Sequence, residues 1–258
     1  MSTWVFLRGL LREARHWGEF PAMFRAQMPD AQVVTPDLPG NGRLHQARSP
    51  WRIEEMAEHV RRELSARGFA PPYYLLGLSM GAMVAVAWAS LHPRELRGCV
   101  LINSSLRRFD PFYRRLLPRT YPTVLSLIGG GARWQERAIL RLTSCRGDAQ
   151  SDLLDAWVGY RREYPVARGN ALRQLLAAAA YRAPLCKPPA PMLVLTSTKD
   201  GLVDSRCSLK LAANWNAALA IHPAAGHDLP LDDAAWVARQ VRDWLAAGHC
   251  HIPFISQL

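Results

Sequence analysis

Residues 73–84 read Tyr-Tyr-Leu-Leu-Gly-Leu-Ser-Met-Gly-Ala-Met-Val, and this stretch decides the fold of the 258-residue chain. An apolar run that suits a buried strand leads into Gly77-Leu78-Ser79-Met80-Gly81, and small residues with a helical pattern follow as far as Ala89. Glycine has no Cβ, so a strand and a helix can approach closely on either side of such a turn. The turn directs the Ser79 hydroxyl out of the sheet and places the Met80 N–H at a helix N-terminus, where it can face a negative charge.

Apolar segments that suit strands recur along the chain, and segments with helical periodicity separate them. The predicted strands lie at about 4–7, 32–35, 73–78, 96–103, 191–196 and 217–221. The predicted helices outside the central region lie at about 16–28, 52–67, 82–89, 205–215 and 233–247. Strands joined by helices of this length favour right-handed crossovers. The sequence therefore predicts an α/β fold, with a mostly parallel central sheet of about six strands flanked by helices.

The alternation of strands and helices stops after Ser105. Residues 106–183 contain helix-like pieces separated by proline and glycine, and no convincing strand. We therefore expect a core domain formed by residues 1–105 and 184–258, with a helical cap at 106–183 inserted after the fourth strand.

The predicted cap carries most of the positive charge of the chain, which is +11 in all. Residues 107–183 contain fourteen arginines, no lysine and six acidic residues, which leaves +8. Arg133, Arg137 and Arg141 follow at four-residue spacing, on one face of a helix. Such a face is most simply solvated, but above a catalytic pocket it could also bind an acidic carrier or an anionic substrate.

Composition narrows the class of protein further. Five cysteines without paired spacing favour reduced thiols and a cytoplasmic location. No apolar run is long enough to span a bilayer, and no nucleic-acid-reading motif accompanies the basic charge. The tail His249-Cys250-His251 has metal-ligand residue types, but three adjacent side chains cannot easily converge on one ion. We expect no metal, no cofactor and no nucleic-acid partner.

Three polar residues follow three of the predicted strands in the order Ser79, Asp200, His227. A serine hydroxyl is barely nucleophilic at neutral pH unless a base such as His227 removes its proton. Asp200 would hold the imidazole in the useful tautomer and stabilise the imidazolium. Asp204 competes for the acid role, but it lies farther from its strand and is better placed to cap the next helix. Asp37 is interpreted as a structural turn residue.

This order and spacing resemble the α/β-hydrolase superfamily along nearly the whole chain. The matching segments are the oxyanion loop at 8–10, the D-x-P-G-x-G-like segment at 36–42, the turn at 77–81, the acid loop at 199–203 and the histidine loop at 225–227. The resemblance implies a serine hydrolase with Ser79, His227 and Asp200 as catalytic residues. It also implies an oxyanion hole made by the backbone N–H groups of Leu10 and Met80.

The chain departs from the superfamily pattern at Arg8-Gly9, where many relatives have His-Gly. The oxyanion donor is a backbone group, so this difference need not remove catalysis, but it introduces a permanent cation. We expect Arg8 to form an ion pair with a nearby carboxylate such as Asp37. The alternative is that Arg8 binds a carboxylate of the substrate.

The leading hypothesis is a serine hydrolase that cleaves a small-molecule acyl ester through an acyl-enzyme on Ser79. The cap and the Ser79 turn are similar to the carboxylesterases of biotin synthesis, a family that acts on a pimeloyl methyl ester attached to acyl carrier protein and holds the carrier with cap arginines. This likeness implies carrier binding at Arg133, Arg137 and Arg141. A thioesterase, a C–C hydrolase, a lyase or a cofactor-free perhydrolase would use the same three residues. A non-catalytic ligand-binding protein is the alternative from another class.

Overall fold

The structure is a computed structural model and describes residues 1–126, 130–146 and 151–248. Within this part of the chain, six parallel strands form one sheet in the order β2-β1-β3-β4-β5-β6. The strands are β1 (Ser2–Leu7), β2 (Ala31–Val34), β3 (Tyr73–Leu78), β4 (Leu96–Ile102), β5 (Met192–Ser197) and β6 (Ala218–His222). The predicted fold class is confirmed.

Eleven α-helices are present in the described ranges. They are α1 (Phe20–Gln27), α2 (Ile53–Ala66), α3 (Met80–Leu91), α4 (Phe112–Arg115), α5 (Tyr121–Ser126), α6 (Ala132–Thr143), α7 (Ser151–Glu163), α8 (Arg168–Ala180), α9 (Arg206–Trp215), α10 (Leu229–Asp232) and α11 (Ala234–Ala246). Helices α4 to α8 lie between β4 and β5 and are called the cap helices here. The predicted helical insertion after the fourth strand is thus confirmed, whereas the domain boundaries at 105/106 and 183/184 stay a prediction.

The predicted helix at 16–28 is wrong in its first part. Residues Ala14–Trp17 form a 3₁₀ turn, and α1 begins only at Phe20. Gly18 between them has φ of +52°, a left-handed conformation that interrupts a right-handed helix. Trp17 and Phe20 still pack together in the core, so the apolar periodicity identified the buried side chains but not the break.

Two hydrophobic layers cover the two faces of the sheet. Successive side chains of a strand point to opposite faces, so Val5 and Leu7 pack with α2, α3 and α9, whereas Trp4 and Phe6 pack with α1 and α11. Helix α3 follows Ser79 directly, and its residues Met80–Ala89 are all buried. The sheet and α3 therefore hold the turn at Ser79 from both sides. Within the described residues, no helix combines the length and the apolar character that crossing a membrane requires.

Helix α8 reverses the usual burial pattern of an amphipathic helix. The amides of Asn170 and Gln174 are buried, whereas Leu172 and Leu176 are 53% and 45% exposed. Gln174 donates to Asn41 Oδ1 and Ser49 Oγ, at 2.9 and 3.1 Å, and Asn170 accepts from the Ser49 backbone N–H at 3.0 Å. Because each buried amide has partners, hydrogen bonds fix much of the contact between α8 and the core.

A buried cluster of charges joins two other cap helices, α6 and α7, to the core. Glu136 of α6 is 1% exposed and accepts from Arg12 at 2.6 Å and from Arg161 of α7. The Arg12 guanidinium also lies 4.4 Å from the Trp157 ring centre. Burial alone would raise the pKa of Glu136, but the two arginines outweigh burial and hold it below its usual range. One carboxylate thus forms ion pairs with two guanidiniums at the junction of cap and core.

We expect Glu136→Gln to lower the free energy of unfolding by about 3–5 kcal/mol, because it leaves two mostly buried guanidiniums without their counter-charge. Chemical denaturation followed by circular dichroism measures the change. The control is Glu163→Gln, which removes an exposed carboxylate partner of Arg15 on α7 and should change stability far less. Equal losses in both variants would contradict the structural role given to Glu136.

Candidate active site

Ser79 occupies the turn between β3 and α3 with φ of +57° and ψ of −115°, a left-handed conformation that is unusual for a residue with a side chain. Two glycines make this turn possible. A Cβ at Gly81 would lie 2.0 Å from the Leu7 carbonyl oxygen, and a Cβ at Gly77 would lie 2.5 Å from the Ala82 nitrogen. The strained serine is therefore held between backbones that leave no room for larger residues.

The predicted oxyanion loop lies directly beside this turn. A Cβ at Gly9 would lie 3.3 Å from Ser79 Cβ and 3.8 Å from Ser79 Oγ, so the Gly9 backbone faces the serine. Gln174 of α8 also holds the end of this loop, because its side-chain oxygen accepts from the Leu11 N–H at 3.1 Å. Met80 is the first residue of α3, where an N–H has no partner within the helix. The assignment of Leu10 and Met80 as oxyanion donors stays a prediction.

Asp200 and His227 form a buried pair on loops that follow β5 and β6. Nδ1 of His227 lies 2.8 Å from Oδ2 of Asp200, and both side chains are at most 5% exposed. A carboxylate can only accept, so Nδ1 carries the hydrogen and Nε2 is left as the basic nitrogen. The other oxygen of Asp200 accepts from the N–H groups of Leu202 and Val203, at 2.8 and 2.9 Å, which fixes the orientation of the carboxylate.

Asp204, the competing aspartate, does not contact His227. Its side chain accepts from the Arg206 backbone N–H at 3.0 Å at the start of α9 and forms an ion pair with the Arg206 guanidinium. Asp37 likewise serves a turn, because its two oxygens accept from the N–H groups of Ala14 and Arg43. Of the candidate acids, Asp200 is the one that the structure places against the histidine.

The environment of His227 favours its protonated form. Burial of the imidazole would by itself lower the pKa, but the charge and hydrogen bond of Asp200 raise it, and Asp228 adds to this effect. Arg8 acts in the opposite direction but does not cancel the carboxylates, so the pKa of His227 is raised above its usual value. An imidazole in this setting is a stronger base than a free histidine.

Asn103 holds the histidine loop, and sequence reasoning missed it. Its side-chain nitrogen donates to the carbonyl oxygens of His227 and Gly226, at 2.8 and 3.2 Å, and its oxygen accepts from the Ser197 N–H at 3.1 Å. The residue follows β4 directly and has φ of +45°. A polar residue at the end of a central strand was the available signal, since the carboxyl ends of parallel strands meet at one edge of a sheet.

Asp232 ties the same loop to a cap helix. Its carboxylate accepts from the Gly226 N–H at 2.6 Å, from Ser144 Oγ at 2.5 Å and from the Cys145 N–H at 2.9 Å. The Asp228 N–H also donates to the carbonyl oxygen of Thr143, the last residue of α6, at 2.6 Å. The end of α6 and the histidine loop are thus bonded to each other directly.

The three predicted catalytic residues lie at the same edge of the sheet, but the structure connects them only in part. Asp200 and His227 are hydrogen-bonded, as described above. In the described part of the chain, no hydrogen bond joins Ser79 Oγ to His227. The assignment of Ser79 as the nucleophile therefore stays a prediction that rests on its backbone conformation and its sequence motif.

The prediction that Arg8 forms an ion pair with a nearby carboxylate is confirmed, but the suggested partner, Asp37, is wrong. Arg8 instead donates from Nη1 and Nη2 to the two oxygens of Asp228, at 3.2 and 2.5 Å, in a pair whose side chains are both 4% exposed. Asp37 is occupied by the backbone N–H groups of its own turn and of Ala14. Since the guanidinium is buried and paired, Arg8 does not lie where the proposed recognition of a substrate carboxylate would need it.

Arg133, Arg137 and Arg141 all lie on the exposed side of α6, as their spacing predicts. Arg133 forms an exposed ion pair with Asp155 of α7. Other cap arginines serve internal contacts. Arg115, for example, donates to the carbonyl oxygens of Ala178 and Ala179, near the end of α8. Carrier binding by the α6 arginines stays a prediction.

No group of three or more histidine, cysteine, aspartate or glutamate side chains in the described residues could hold a metal ion. The tail His249-Cys250-His251 lies outside the described residues. Cys99 and Cys207 are buried free thiols, and Cys145 and Cys186 are exposed free thiols. The expected cytoplasmic location stays a prediction.

The comparison with known proteins agrees with this geometry. Residues 5–234 match the sequence pattern of the family described as alpha/beta hydrolase fold. The chain belongs to the α/β-hydrolase fold family. Among solved structures, the enol-lactonase from Burkholderia xenovorans LB400 superimposes with a TM-score of 0.78 at 19% identity, covering 95% of this chain and 91% of the lactonase.

The names of two curated relatives refer to an esterase and to biotin biosynthesis. The chain is 31% identical over 236 residues to the pimeloyl-[acyl-carrier protein] methyl ester esterase of Serratia marcescens, and the match covers 86% of each chain. It is 33% identical over 105 residues to the biotin biosynthesis bifunctional protein BioHC of Teredinibacter turnerae, which is 40% of this chain and 17% of that protein. The family and these relatives confirm the sequence prediction of an ester-bond hydrolase.

We expect Gly81→Ala to slow the reaction of Ser79 with a fluorophosphonate probe and to reduce stability by about 1–3 kcal/mol, because the new Cβ must displace the Leu7 carbonyl. The control is Gly159→Ala on α7, where nothing lies within 4 Å of the new Cβ. That variant should be more stable by about 0.5–1 kcal/mol, since alanine favours a helix over glycine, and should keep the labelling rate. Normal labelling of Gly81→Ala would contradict the steric role given to Gly81.

Proposed function

We propose that this α/β-hydrolase is a serine carboxylesterase whose triad is Ser79, His227 and Asp200. The observation that carries the proposal is the buried hydrogen bond between Asp200 and His227, which leaves Nε2 of His227 as a base at the edge of the sheet where Ser79 lies. The strained turn and the adjacent Gly9 backbone support the assignment of Ser79 as the nucleophile.

In the proposed reaction, Ser79 Oγ attacks the ester carbonyl carbon while His227 Nε2 takes its proton. The negative charge on the carbonyl oxygen is stabilised by the N–H groups of Met80 and Leu10, a contribution of typically about 2.7–4 kcal/mol for each donor. The C–O bond to the alcohol then breaks, and His227 returns the proton to the leaving alkoxide. A water molecule hydrolyses the acyl-enzyme by the same steps, releasing the carboxylic acid and restoring Ser79.

Asp200 contributes by holding His227 in the tautomer that this reaction needs. Its Oδ2 accepts from Nδ1–H, and its Oδ1 is held by two backbone N–H groups, so the carboxylate cannot turn away from the ring. When His227 becomes protonated, the buried negative charge beside it stabilises the imidazolium. The same interaction with Asp200 raises the pKa of His227 before any substrate is bound.

The substrate class that we favour is a methyl ester of a carboxylic acid carried on acyl carrier protein. The relative from Serratia marcescens, matched over 86% of its length, bears the name of such an esterase. Exposed arginines on α6 supply positive charge that would complement an acidic carrier. The end of α6 is bonded to the histidine loop, so a carrier bound there would lie on an element that contacts the catalytic loop.

We expect Ser79→Ala to abolish labelling by a fluorophosphonate probe and hydrolysis of p-nitrophenyl acetate. Asp200→Asn should lower kcat by about ten-thousandfold, because the amide no longer favours the reactive tautomer. The matched control is Asp204→Asn, which changes a nearby aspartate that lacks contact with His227 and should retain most activity. Unchanged labelling of Ser79→Ala would refute the triad.

For the carrier, we expect the double charge reversal Arg137→Glu with Arg141→Glu to lower kcat/KM on a carrier-linked methyl ester at least about tenfold, or 1.4 kcal/mol. Hydrolysis of p-nitrophenyl esters should stay within about twofold. The control is the double variant Arg25→Glu with Arg94→Glu, which reverses the charge of two exposed arginines elsewhere. It changes the net charge by the same amount as the α6 double variant. Equal losses on both substrates, or equal effects of both double variants, would contradict docking on α6. Parallel assays with an acyl-thioester distinguish an esterase from the alternative, a thioesterase.

A further inference from the structure

A buried ion pair joins the two loops that carry separate parts of the proposed machinery. Arg8 precedes Gly9 in the loop after β1, and Asp228 follows His227 in the loop after β6. Both guanidinium Nη atoms bond to the Asp228 carboxylate, at 3.2 and 2.5 Å. Each side chain is 4% exposed, so water does not compete for either group. The two-point geometry fixes both the distance and the relative orientation of the loops.

The Arg8 end of the pair is anchored to the serine turn. A Cβ at Gly81 would lie 2.8 Å from the Arg8 carbonyl oxygen, so the Arg8 backbone packs against the start of α3. The guanidinium lies 4.7 Å from the centre of the Trp17 ring, which restricts its movement on that side. A shift of the arginine would therefore be transmitted to Gly9, which faces Ser79.

The Asp228 end is anchored to the histidine. Its N–H is bound by the Thr143 carbonyl at 2.6 Å, and its own carbonyl accepts from the N–H groups of Leu231 and Asp232 in α10, both at 3.0 Å. Hydrogen bonds hold the Asp228 backbone at both its N–H and its carbonyl. The position that Arg8 gives to Asp228 therefore also fixes the adjacent His227. The pair thus spans from the serine turn to the general base.

The pair also sets the charge around the imidazole. Within the described residues, the largest charge effects on His227 come from Asp200 in the loop after β5, Asp228 in its own loop and Arg8 in the loop after β1. Asp228 raises the pKa of His227 and Arg8 lowers it. Arg8 therefore offsets a second carboxylate that would otherwise act on the histidine beside Asp200.

We propose that Arg8 and Asp228 are positioning residues that hold His227 and the oxyanion loop in register with Ser79 through one buried ion pair. This role rests on the proposed function as a serine hydrolase. It takes the place of the alternative in which Arg8 binds a carboxylate of the substrate. Neither side chain touches the reacting atoms; both act through the loops that they join.

The test compares Arg8→Gln, Asp228→Asn and the double variant in hydrolysis of a p-nitrophenyl ester. Each single variant should lower kcat by roughly tenfold to a hundredfold, the loss that a misplaced catalytic group produces. KM should stay within about threefold, because the pair does not bind the substrate. The double variant should lose no more than the worse single variant, since residues that act as one unit are not additive.

The pH profile separates positioning and charge balance from a merely structural role. His227 must be neutral to accept a proton, so kcat/KM rises with pH through the pKa of His227. Asp228→Asn removes an anion and should move this rise to lower pH. Arg8→Gln removes a cation and should move it to higher pH, and the double variant should lie between them. Shifts of both single variants in the same direction, or of neither, would overturn the proposal.

Two controls keep the result interpretable. Arg61→Gln breaks another arginine pair, in which Nε and Nη2 of Arg61 contact the carboxylate of Glu95. Glu95 directly precedes β4, at the opposite edge of the sheet from Ser79, so this variant should leave kcat unchanged. If an unpaired buried charge prevents a single variant from folding, the double variant has no such charge and carries the test alone. Wild-type kcat in the folded double variant overturns this inference. Absence of Ser79 labelling in the wild-type protein would instead refute the proposed function.

Discussion

The close approach of the Ser79 turn to the loop after β1 is the constraint on which the site depends. With only hydrogen at the Gly81 Cα, the start of α3 can lie against the carbonyl oxygens of Leu7 and Arg8. This contact brings the Gly9 backbone up to the serine and leaves Ser79 in a left-handed conformation. The strain is held because β3 is central in the sheet and residues Met80–Ala89 of α3 are all buried behind it. A single missing methyl group thus determines how two elements of the site meet.

The layout of the fold could be predicted from the sequence because its signals are local. A short apolar run, a glycine turn and a helical pattern each lie within about ten residues, and their order predicted the parallel sheet, the cap helices and the succession of Ser79, Asp200 and His227. The choice of Asp200 over Asp204 was also local, since it depended on distance from the end of β5. The break at Gly18 was missed because a glycine within an apolar periodicity does not disclose its φ angle.

The contacts that hold the site together could not be predicted in the same way. Arg8 and Asp228 are 220 positions apart, and Asn103 and His227 are 124 apart, so no spacing rule connects them. The expected partner of Arg8 was a carboxylate that proved to be satisfied by backbone N–H groups. Charge counting had a similar limit in the cap, where part of the arginine surplus bonds to carbonyl oxygens and buried carboxylates inside the protein. Composition gave the total charge but not the share that faces solvent.

The hydrogen bonds of Asp232 have a thermodynamic consequence. This carboxylate bonds at once to Gly226, before the histidine, and to Ser144 and Cys145, which follow α6. Lifting the end of α6 from the core would therefore break bonds that order the histidine loop, and loosening that loop would release α6. Such linkage is reciprocal: a ligand that steadies α6 also steadies His227, and an acyl group held at Ser79 and His227 would strengthen whatever α6 binds by the same factor.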